Sequence, residues 1–92
     1  MEGSVCETSL QVRNSQGLHM RPAMLFVDMA SQFACDIRVT SGDTEVDGKS
    51  IMQMTMLAAV RGTSLTVRAE GVDADKAIEA LRDLVEVRRF DE

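Results

Sequence analysis

From Thr8 onward the chain alternates: Thr8, Leu10 and Val12 fall on one side and Ser9, Gln11 and Arg13 on the other, the period-two pattern of a half-buried strand. The polar run Asn14-Ser15-Gln16-Gly17 ends it. The period then lengthens. Ala23, Phe26, Val27, Ala30 and Phe33 recur at three- and four-residue spacing, which predicts a helix with one apolar side. Pro22 is tolerated in its first turn, where an amide hydrogen has no intrahelical acceptor. Residues 34–39 and 44–47 predict a hairpin turning at Ser41-Gly42-Asp43. After the loop Asp47-Gly48-Lys49, Ser50 is suited to cap a second helix that runs to about Val60. Residues 64–69 return to strand alternation, with Leu65, Val67 and Ala69 on the apolar side. Asp73 is placed to cap a last helix whose stripe of Ala74, Ala77, Ile78, Leu81, Leu84 and Val85 opposes Asp75, Lys76, Glu79, Arg82 and Asp83.

The order is therefore β-α-β-β-α-β-α, an α+β arrangement. An antiparallel sheet covered on one face by helices is the simplest way to bury this pattern in a short chain. With 92 residues, 45% of them hydrophobic and 27% charged, residues 1–92 make a single domain with its core fold over about 8–88.

Composition narrows the function. Three Phe with no Tyr or Trp, and a net charge of -5, oppose stacking on bases, tracking of nucleic-acid backbones and attraction to anionic lipid. Cys6 and Cys35 lie too far apart for a short metal-knuckle spacing, so both are expected as reduced thiols, with no metal. A metal module drawing on His19, the two cysteines and the methionines lacks any close ligand cluster. The first residues carry no basic region followed by an apolar stretch, and no segment approaches the roughly 20 apolar residues of a membrane span. A cytoplasmic monomer with no stable membrane association is the expectation.

The chemistry concentrates at a strand-to-helix junction. His19, the sole histidine, precedes the first helix and stands two residues from Arg21. A helix start offers unpaired amide hydrogens and the positive end of its dipole, which together suit a phosphate. Neutral imidazole is nucleophilic near pH 7, and Arg21 can add charge-assisted hydrogen bonds to phosphoryl oxygens. On these residues alone, a histidine near a helix start is more often a polar surface residue or a cap than a nucleophile, and Arg21 is compatible with a solvated charge. The second helix, from Ile51 to Val60, is apolar almost all round, so part of it is expected to form a docking surface while Met54, Met56 and Leu57 pack inward. Lys49 reads as an isolated surface lysine, and Ser50 as an N-cap.

Gly17-Leu18-His19-Met20-Arg21-Pro22-Ala23 resembles the active-site signature of the histidine-containing phosphocarrier family of the bacterial sugar phosphotransferase system. The likeness continues through Val27, Ala30 and Phe33, Lys49-Ser50-Ile51-Met52, Leu57, Gly62, Gly71, Ala77 and Leu81. What it implies is an open-faced sandwich of four antiparallel strands and three helices. His19 would carry phosphate on its delta nitrogen, with Arg21 stabilising it. No cofactor is implied. The donor would be the phosphoenolpyruvate-dependent first enzyme and the acceptors sugar-permease subunits, the chain serving as a stoichiometric carrier and not an enzyme. The same resemblance makes Ser50 a regulatory site for a serine kinase/phosphorylase, and turns Met20, Ile51, Met52 and Thr55 toward partners. Met20 departs from the usual alanine, Gln53 from a common glycine and Thr55 from a common methionine. A regulatory adaptor governed by Ser50, uncoupled from sugar transport, is the alternative function.

Overall fold

The computed structural model describes residues 4–57 and 59–91. Strands β1 (Ser4–Gln11), β2 (Asp36–Ser41), β3 (Thr44–Asp47) and β4 (Ser64–Gly71) alternate with helices α1 (Met20–Ala30), α2 (Ile51–Met56) and α3 (Ala74–Arg82) in the predicted order. The strands form one antiparallel sheet, β1-β4-β2-β3.

Side-chain alternation gives the sheet two unlike faces. Thr8, Val67, Val39 and Val46 lie in one row across the four strands, and the three valines of that row are buried with Leu10, Ile37, Leu65 and Ala69. On the other face the neighbouring row reads Glu7, Arg68, Arg38 and Asp47. Two arginines thus face each other at the centre of the sheet. Each has an acidic neighbour on its own strand, at 3.5 Å between Arg38 and Asp36 and 3.2 Å between Arg68 and Glu70. These exposed pairs contribute little to stability and serve mainly to offset the like charge. All three helices cover the apolar face, where Phe26, Met54 and Leu81 are fully buried. The expected open-faced sandwich is the observed one.

Element boundaries differ from the sequence pattern where distant contacts decide them. β1 starts at Ser4, four residues early, because β4 runs to Gly71 and supplies partners for Ser4 and Val5. Val12 lies past the end of β1 yet remains buried, exchanging hydrogen bonds with Gly62 and Thr63. β2 starts at Asp36 and not at residue 34, since the Ala34 and Cys35 amides donate to the Asp73 carboxylate at 2.9 and 3.0 Å. Asp73 does occupy the N-cap position of α3, but its side chain makes no capping bond there. α2 is shorter than expected, ending at Met56, with Ala59 and Val60 non-helical. Ala58 within that expected helix, the residues 1–3 read for an export signal, and Glu92 lie outside the described residues.

The C-terminal segment carries the core beyond residue 88. α3 continues as a π turn (Asp83–Val87) and then a hook (Arg89–Asp91) in which three consecutive non-glycine residues have φ of 50°, 56° and 58°. Left-handed backbone costs roughly 1–2 kcal/mol per residue. The hook buries Phe90 completely, and a two-point Arg88–Asp91 pair at 2.9 and 2.7 Å braces it. β1 is tied to this segment as well, through Arg82 of α3 donating to Thr8 and Glu86 of the π turn accepting from the Gln11 amide.

Candidate functional site

The loop from Asn14 to Leu18 presents His19. Gly17 adopts φ +73°, and a Cβ there would stand 2.6 Å from the Ala59 carbonyl oxygen, so glycine is required twice over. The same carbonyl accepts from the Leu18 amide at 2.8 Å, and the Leu18 side chain is buried. His19 follows immediately as the N-cap of α1. Its backbone is extended (φ -88°, ψ -166°), its carbonyl accepts from Ala23 at 2.9 Å and its imidazole makes no capping bond.

The exposed imidazole faces an open cleft of about 200 Å³ lined by Asn14, Ser15, Gln16, His19, Arg21 and Pro22. Pro22 is the third helical residue and brings no amide hydrogen. The amides of Met20 and Arg21, in the first turn, have no acceptor within the helix, and with the helix dipole they favour an anion beside His19. Arg21 Nη2 donates to the Phe90 carbonyl at 3.0 Å. Among the described residues this bond occupies one of the five guanidinium donors. Phe90 was invisible to a local pattern, because it reaches Arg21 across 69 residues.

A second, apolar groove of about 360 Å³ adjoins the cleft and is lined by Met20, Met24, Val27, Asp28 and Ile51. Met20 is 57% and Met52 76% exposed, while Ile51 is partly buried. Met54 is fully buried and Leu57 partly so, but Met56 is 69% exposed, against the expectation that it packs inward. Two residues beyond buried Met54, Met56 lies about 200° round the helix and so faces away from the sheet. Thr55 donates from Oγ1 to the Met52 carbonyl at 2.8 Å and borders a third depression with Gln16, Leu18, His19, Ala59 and Val60. Met24 belongs to this surface although sequence reasoning passed over it.

Ser50 caps α2, its Oγ accepting from the Gln53 amide at 3.3 Å. Gln53 in turn accepts from the Asp47 amide at 2.8 Å, so the residue that departs from a common glycine helps fasten the loop. Lys49 is no isolated surface charge: its Nζ donates to the Phe33 carbonyl at 2.6 Å and pins this loop to the end of α1.

Both thiols are free. Burial, and then the neighbouring Asp73, pushes the Cys35 thiol up to about 11, which makes it a poor nucleophile at neutral pH. Among the described residues no group of three or more His, Cys, Asp and Glu side chains could hold a metal ion, and no helix is long and apolar enough to cross a membrane.

A family profile described as the PTS HPr component phosphorylation site matches residues 6–87. The phosphocarrier protein HPr of Pseudomonas aeruginosa is 44% identical over 84 residues, covering 90% of this chain and 92% of the relative. That of Neisseria meningitidis is 43% identical over 77 residues, with 84% and 86% covered. The crystal structure of HPr from Thermoanaerobacter tengcongensis superposes with a TM-score of 0.90 at 41% identity, covering 95% of this chain and 97% of the other.

Proposed function

Because the chain belongs to the PTS HPr family and is a phosphocarrier, we propose that His19 carries the phosphoryl group through its delta nitrogen and that Arg21 steadies the group as it arrives and leaves. The observation behind this assignment is the cleft itself, where the exposed imidazole of the sole histidine stands beside Arg21 and the first-turn amides of α1.

In the forward step the nitrogen lone pair forms a bond to phosphorus as the bond between phosphorus and the donor breaks, and the phosphoryl oxygens keep their negative charge. Transfer of this kind depends on positioning and electrostatics more than on covalent help. The α1 amides and the Arg21 guanidinium supply both. In the return step, protonation of the ring makes nitrogen the better leaving group, and the phosphoryl group departs to an acceptor. The chain is a stoichiometric intermediate and not an enzyme, and needs no cofactor of its own.

The donor is a phosphoenolpyruvate-dependent first enzyme and the acceptors are sugar-permease subunits, met in the cytoplasm by a monomeric carrier. Met20, Ile51, Met52 and Thr55 form the docking surface, together with the apolar groove that Met24 extends. Adaptable methionine side chains suit a surface that meets several folds. Ser50 is the site at which a serine kinase/phosphorylase would regulate docking, since a phosphate there adds charge next to exposed Met52.

Incubation with the first enzyme and phosphoenolpyruvate should add one acid-labile phosphate, seen by mass. His19→Ala should abolish the adduct; its persistence in that variant would overturn the assignment. Arg21→Ala should remain folded and transfer about 100-fold more slowly.

A further inference from the structure

Among the described residues, Asn14 is the single buried polar side chain, 3% exposed, and it takes no part in the transfer chemistry of His19 and Arg21. Its Nδ2 donates to the Gly17 carbonyl at 2.7 Å, and the Gly17 amide donates back to the Asn14 carbonyl at 3.3 Å, closing the turn from both sides. The first bond also fixes the orientation of the amide, because rotating it would set two oxygens against each other. Oδ1 is consequently buried with no hydrogen-bond partner. A buried acceptor in that state is unfavourable, and residues that keep one are commonly held for something other than stability.

What the Asn14 bond holds is the exit of the chain toward His19. Gly17 lies so close to Ala59 that a Cβ would clash with its carbonyl oxygen, Leu18 donates to the same carbonyl at 2.8 Å, and the next residue is the proposed carrier. Because the His19 side chain makes no capping bond, its ring takes its placement from this backbone. Asn14 also lines the cleft shared by His19 and Arg21.

We propose that Asn14 is a positioning residue for phosphoryl transfer: by grasping the Gly17 carbonyl it sets where the imidazole stands over the α1 amides. The proposal rests on His19 being the carrier. Asn14 lines neither the apolar groove nor the depression beside Thr55 to which docking is assigned above, so disturbing it should act mainly on the transfer step.

The test uses Asn14→Asp, which keeps the shape and removes the donor, and Asn14→Ala, which removes both. With the first enzyme and phosphoenolpyruvate, each variant should show kcat lowered roughly tenfold with KM within about twofold, below its own melting temperature. The His19 ring resonances in a proton–nitrogen spectrum should move in both. Unchanged kcat and ring resonances in folded variants would overturn the proposal, as would a rise in KM alone. If neither variant folds, the wild-type protein decides: the Asn14 side-chain amide resonances should shift when His19 is phosphorylated, and their constancy would count against the coupling. A wild-type protein that takes no phosphate on His19 refutes the carrier assignment instead.

Discussion

At Asp73 a residue placed for one task performs another. Its carboxylate accepts from the Ala34 and Cys35 amides across the start of β2, and the Ala34 bond chiefly holds its pKa below the usual carboxylate value. A lowered folded-state pKa means stability that is present above the unfolded value of about 4 and is lost as pH falls through the folded one. Asp73→Asn, which keeps one acceptor oxygen in place of two, should therefore melt at a lower temperature than wild type at pH 7. The gap should close on acidification, as pH falls through the lowered folded-state pKa. A gap independent of pH in calorimetry would show that the charge is not what matters. The same comparison explains what the sequence could reveal. His19 and Arg21 stand within one local motif, so their juxtaposition was legible; Asp73 was legible only as a cap, because its true partners are 38 and 39 residues away. Asn14 read as loop polarity, since nothing in its neighbours announces that it is buried.

Elements were legible where a period persisted and less so where a partner set the end. The stripe of α3 predicted its packing side, yet nothing in Arg88-Arg89-Phe90-Asp91 announces a left-handed hook. There the burial of Phe90, the Arg88–Asp91 pair and the Arg21 bond act together against backbone strain. Phe90→Ala should destabilise the fold by about 3 kcal/mol or more in urea titrations, as truncation of a buried aromatic does. It should also slow transfer from the phosphorylated first enzyme, because the carbonyl that anchors Arg21 would shift; stability lost with transfer intact would separate the hook from the site. At the other short element, α2, a single side chain holds the N-terminus. Ser50→Ala should cost about 1 kcal/mol and accelerate amide exchange at Gln53 and Met54 before it affects the sheet.

For the molecule as a whole, strand order ranks the parts. β4 is paired on both sides and β2 likewise, whereas β1 and β3 are edges. β1 has eight residues paired with β4 and further ties to α3 and the π turn, while β3 has four residues in all. Hydrogen exchange should accordingly be slowest in β4 and fastest among the strands in β3, and a β4 that exchanged with β3 would mean that the two pairings open together. The β-α-β-β-α-β-α order was readable from periodicity. The neighbour order β1-β4-β2-β3 was not, since period-two alternation says which face a residue joins and leaves open which strand lies beside it.

Met20, Met24, Met52 and Met56 all stand substantially exposed, and the first two line the groove next to the cleft. Peroxide converts an exposed methionine to its sulfoxide, replacing a pliable apolar side chain with a polar one, and reductases reverse the change. Mild oxidation should therefore raise the concentration of first enzyme needed for half-maximal transfer while His19 itself stays able to hold phosphate. On the proposed docking surface, the same chemistry would make the carrier's traffic respond to oxidative stress.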